Sequence, residues 1–111
     1  MFTGGDAGRP EGGLDVYVGA LEFDVLLGDV HSLKQKRSYL RPVIAELKRY
    51  GVAAAETGEQ DLHRRGLIGV AAVSSDVAHV NEVLDECERA VARRPELDLL
   101  AARRRIYGPE D

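Results

Sequence analysis

The sequence predicts an α+β sandwich, with two helices laid on one face of a four-stranded antiparallel sheet, and three observations predict it. Apolar residues alternate at period two through residues 16–27. They recur at helical spacing in two later stretches, and the stretches succeed one another as strand, helix, strand, strand, helix, strand. With right-handed crossovers that order is a split βαβ arrangement, the ferredoxin-like βαββαβ sandwich.

Each element has its own warrant. In residues 16–27, Tyr17, Leu21, Phe23, Val25 and Leu27 share one face, while Val18, Ala20, Glu22, Asp24 and Leu26 share the other, as in a half-buried strand. Gly28-Asp29 breaks it. A helix then follows on the stripe Leu33, Leu40, Val43, Ile44, Leu47 and Tyr50, with Ser32 and Gln35 in the spacing of a capping box and Gly51 as a C-terminal stop. Pro42 lies inside it, so a kink near Ser38 or a fresh segment from Arg41 is expected. Residues 52–57 form a short strand of small side chains. Residues 67–74 are almost continuously apolar, the pattern of a strand covered on both faces. Ser75 or Asp76 caps a second helix on Val77, Val80, Val83, Leu84, Cys87, Ala90 and Val91, which Pro95 ends. Residues 97–107 are the last strand.

At 111 residues the chain has room for one core. Residues 1–15 hold Gly4, Gly5, Gly8, Pro10, Gly12 and Gly13 and are expected to be a disordered extension, with one domain over 16–108 and a short tail at 109–111. That extension lacks the basic start and apolar run of a signal peptide, and no stretch approaches the ~20 apolar residues of a membrane span; a cytoplasmic protein with no membrane partner is expected. Cys87 is the single cysteine, which excludes an internal disulfide or a cysteine-based zinc site.

Charge is distributed unevenly. The chain carries a net −4, yet residues 31–50 hold six cations (Lys34, Lys36, Arg37, Arg41, Lys48, Arg49) against one acid, Glu46. The basic run opens at a helix N-terminus, where unpaired N–H groups already favour an anion. Lys34, Lys36, Arg37 and Arg41 are therefore candidate phosphate contacts, joined by His31 and by His63, Arg64 and Arg65 from the polar connection 58–66. The bland alternative is a solvated helix face; the shortage of acids within helical reach argues against it. Of Arg103-Arg104-Arg105, the first and third are expected to pair across strands with Glu22 and Asp24. Only six aromatics are present (Phe2, Tyr17, Phe23, Tyr39, Tyr50, Tyr107), too few for base stacking on the sheet, so RNA contact is expected at the first helix.

His31 and His63 with a carboxylate such as Asp29 or Asp61 are chemically able to hold a metal, but their spacing matches no metal motif, and the two loops need not share one end of the sheet. No Gly-rich phosphate loop or nucleophile elbow is present. Neither an enzyme nor a cofactor is expected.

The segments Tyr17-Val18-Gly19-Ala20-Leu21, His31-Ser32-Leu33-Lys34-Gln35-Lys36-Arg37, 55–65 and Gly69-Val70-Ala71-Ala72-Val73-Ser74 together resemble the YlxP-like family of small bacterial proteins, a domain of unknown function. The resemblance covers residues 17–107; residues 1–15 depart from the pattern. It implies a ferredoxin-like fold and a genomic association with translation and ribosome-maturation factors, and it supplies no catalytic residues. The expected partners are thus ribosomal RNA or the 30S subunit, contacted without catalysis. The alternative is a protein-interaction or homodimerisation module without direct RNA contact.

Overall fold

The computed structural model describes residues 13–111; most of the extension expected at 1–15 lies outside them. Six elements follow in order: β1 (Tyr17–Leu27), α1 (Leu33–Lys48), β2 (Ala53–Gly58), β3 (Arg65–Ser74), α2 (Val77–Ala92) and β4 (Leu97–Tyr107). The strands form one antiparallel sheet in the order β2-β3-β1-β4, the ferredoxin-like topology, with both helices on one face.

β1 is the hub because it pairs on both sides. Phe23 stands opposite Ile68 of β3 and Ala102 of β4, and the inward row Leu21, Phe23, Val25 and Leu27 is buried as its alternation requires. Each such side chain contributes about 2 kcal/mol of burial. Gly19 extends that row without a side chain. A Cβ there would lie 2.4 Å from Val80 Cγ1 and 2.7 Å from Leu84 Cδ1, so the glycine is what lets α2 sit down on the sheet.

α1 begins as the capping signal requires. Gln35 N donates to Ser32 Oγ at 3.0 Å, while the Gln35 side chain accepts from His31 N at 2.8 Å, one residue earlier than in the usual box. Pro42 does not divide the helix. It removes the N–H that Ser38 O would have accepted, yet the buried stripe Leu40, Val43 and Leu47 runs through it and holds one continuous segment. Gly51, at φ +83°, turns the chain in the left-handed region just beyond the helix end. α2 is capped by Asp76, whose Oδ1 accepts from Ala78 N at 2.9 Å. The two helices are tied by Arg94, which donates to Glu46 Oε1 at 2.7 Å and to Pro42 O at 3.2 Å.

β3 corrects one expectation. Its apolar run is buried on the helix side only (Ile68, Val70, Ala72), while Ala71 is exposed and Val73 is 67% exposed on the opposite face.

Candidate nucleic-acid interface

Antiparallel pairing of β1 with β3 puts the end of β1 beside the start of β3, so the loops 28–32 and 59–64 meet at one end of the sheet. Leu27 N donates to Arg64 O at 2.8 Å, and Arg64 Nε returns to Leu27 O at 3.3 Å and Gly28 O at 2.9 Å. Topology had already decided this; sequence reasoning that followed the loops singly left their relation open.

Lys36 is not a surface cation. It is 1% exposed, and its ammonium donates to Glu59 O at 2.7 Å and Leu62 O at 2.8 Å, lying 2.9 Å from Glu56 Oε2. The Glu56 contact is Coulombic: Oε2 is buried and makes no hydrogen bond of acceptable angle. Lys36 is therefore withdrawn from the phosphate-contacting set. It pins the β2–β3 loop to α1, including Glu59, held at φ 58° in a region that disfavours side-chain-bearing residues.

Arg65 is withdrawn as well, because its guanidinium holds Asp24 in a two-pronged grip, Nη2 donating to Oδ2 at 2.8 Å and Nε to Oδ1 at 3.2 Å. Arg105 does not meet Asp24, because the register sets it opposite Ala20 while Asp24 stands opposite Ala101; its guanidinium lies over the Tyr107 ring, 5.8 Å from its centroid. Arg103 meets Glu22 at 3.0 Å, as cross-strand register requires. Arg104 points to the helix side, where it bonds Asn81 Oδ1 at 3.0 Å and Asp85 at 2.9 Å.

Lys34, Arg37 and Arg41 stand apart from all of these. They are exposed on α1 at three- and four-residue spacing, and none has a carboxylate within 4 Å among the described residues. Glu46, the one acid of α1, faces Arg94 and does not neutralise them. His31, His63 and Arg64 flank the helix start around a shallow depression of about 500 Å³ that also includes Asp61 and Leu62. Arg37 opens onto an adjoining depression of about 300 Å³ with Gln60 and Asp61. His31 Nε2 lies 2.8 Å from Asp29 Oδ1 in an exposed pair. Among the described residues no three His, Cys, Asp or Glu side chains are grouped to hold a metal ion. Cys87 is buried, and burial, reinforced by the Glu86 charge and opposed by Arg104, pushes its thiol up to about 11, the opposite of a reactive cysteine. Among the described residues no helix is long and apolar enough to cross a membrane.

Comparison with known proteins bears on the family and the fold. The family described as "Protein of unknown function (DUF503)" matches residues 18–104. The uncharacterized protein YlxP of Bacillus subtilis (strain 168) is 29% identical over 82 residues, spanning 73% of this chain and 89% of that protein. Among solved structures, the de novo designed protein Foldit4 superposes with a TM-score of 0.53 at 11% identity, over 83% of this chain and 96% of its own, which supports the fold alone. A variant of SnoaB, a cofactor-independent oxygenase from Streptomyces nogalater, reaches a TM-score of 0.43 at 12% identity over 88% of this chain and 96% of its own; at that level it bears on no chemistry here.

Proposed function

We propose, for a chain that belongs to the DUF503 family of proteins of unknown function, a non-enzymatic role as an RNA-binding accessory protein acting near the small ribosomal subunit. The observation that supports it is the row Lys34, Arg37 and Arg41: three exposed cations on one side of α1 with no counterion among the described residues, beside a helix N-terminus. Side chains of this kind grip phosphate without reading bases, so they position a protein on structured RNA and leave sequence choice to shape. His31, His63 and Arg64 border the same end and extend the surface a bent backbone meets. Placement at the small subunit follows the genomic association that the family resemblance implies.

Phosphate binding through three cations carries a definite salt signature. Three neutralised phosphates give a slope of log K against log salt of roughly −2 to −3. Cosedimentation with purified 30S particles across a salt series tests this, with the Lys34→Glu/Arg37→Glu double variant alongside. Wild type is expected to cosediment at low salt with that slope, and the double variant to lose binding throughout. Wild type that never cosediments, or a double variant that binds as well, removes the reading.

A further inference from the structure

We propose that the uncovered face of the sheet is a homodimer interface whose occupant is a second copy of this chain. The first ground is β3 itself. The run Leu67-Ile68-Gly69-Val70-Ala71-Ala72-Val73 has the composition of a strand buried on both sides, and the helices bury only one. On the other side Val73 is 67% exposed, and its register neighbours Val18 of β1 and, across β1, Tyr107 of β4 continue an apolar surface.

The second ground is the electrostatics of that face. The face carries three carboxylates, Glu22, Asp24 and Asp98, and three guanidiniums, Arg65, Arg103 and Arg105, so its formal charges balance, with Arg103 on Glu22 at 3.0 Å and Arg65 on Asp24 at 2.8 Å. A two-fold interface sets a surface against itself, so any unbalanced charge meets its own sign; a face that has already cancelled its charges avoids that repulsion. For a polyanion the same face offers little, in contrast to α1. A strongly charged protein partner likewise finds no complementary field there.

Area is the third ground. Four strands at ~4.8 Å spacing, over roughly 30 Å of strand length, present about 600 Å² per protomer. Two such faces together bury about 1,200 Å², the lower end of stable specific interfaces, and packed sheets of this kind stack ~10 Å apart. In such a dimer both α1 helices face outward, so the inference stands independently of RNA binding.

Light scattering coupled to size exclusion, on the full chain across a concentration series at moderate salt, tests it. A mass twice the 12.1 kDa protomer is expected. Val73→Asp and Ala71→Arg, made separately, are each expected to weaken association at least tenfold with an unchanged circular-dichroism spectrum. Ala78→Asp, on the exposed side of α2, is expected to leave the dimer intact. A monomer at every concentration overturns the proposal, as does a dimer that survives both folded sheet-face variants or is lost with Ala78→Asp alone. Should one sheet-face variant fail to fold, the other carries the same comparison.

Discussion

Arg37 stands in solvent on the outer side of α1 with no carboxylate within 4 Å among the described residues, while Lys36, one residue before it, is 1% exposed and holds two carbonyls of the β2–β3 loop. In a basic run the two are equivalent; on the helix they are about 100° apart, and that angle assigns one to architecture and the other to solvent. Charge composition reports how many cations a segment carries. Helical phase reports which of them are available, since Lys36 falls on the stripe Leu33, Leu40, Val43 and Leu47, three residues after the first and four before the second.

The largest expected effect of separating the two faces is on stability. Lys36→Met keeps the length and apolar stem of the side chain but deprives Glu59 O and Leu62 O of their donor and strands the partly buried Glu56 carboxylate. A loss of about 3 kcal/mol in urea unfolding is expected. A loss below about 1 kcal/mol breaks the distinction, because Lys36 would then be no more structural than a surface cation.

Glu56→Gln sharpens the account of the same anchor. It removes the ion pair while leaving an oxygen near the ammonium, and the two carbonyl bonds remain. A destabilisation of about 1 kcal/mol is expected by the same urea titration, well short of the lysine variant. Equal losses in the two variants show the Coulombic leg, not the carbonyl pair, to be dominant.

How far this site was legible in the sequence follows from the same geometry. The element order, the cap at Ser32, the second cap to within Ser75 or Asp76, and the inward row of β1 were all readable, since each depends on neighbours within a turn or on strand alternation. The Arg103 partner was readable too, because β1 and β4 pair in the order the fold class dictates. Lys36 was misread through counting charge before phase. Arg65 was misread for another reason: its partner Asp24 lies 41 residues away, and the register that brings Arg65 to that carboxylate while setting Arg105 opposite Ala20 is not supplied by local pattern. The exposure of Val73 was hidden for the converse reason, as apolar continuity describes what a strand is suited to pack against and not what the single chain provides.

Glu59→Gly probes the loop from its own side and is expected to be small and of opposite sign. At φ 58° a glutamate bears a left-handed strain of about 1 kcal/mol that glycine does not, partly offset by the greater freedom glycine has when unfolded. A gain of about 0.5 kcal/mol is expected in the same assay. Combined with Lys36→Met, the gain should change, because the lysine holds the carbonyl of that very residue; strict additivity means that the strain and the anchor are independent.

Arg37→Met has the smallest expected effect on folding and is the sharpest test of the comparison. Arginine and methionine have similar helix propensities, the side chain leaves no partner unpaired, and a change within about 0.5 kcal/mol is expected. On 30S cosedimentation the same variant should lower the steepness of the salt dependence by about 0.7 to 0.9, one phosphate's share. Lys36 and Arg37 would then differ in both readouts in opposite senses, one moving stability and the other moving binding. If Arg37→Met destabilises by more than about 1 kcal/mol, the outer face of α1 is structural as well, and an unpaired exposed cation is no guide to what the helix binds.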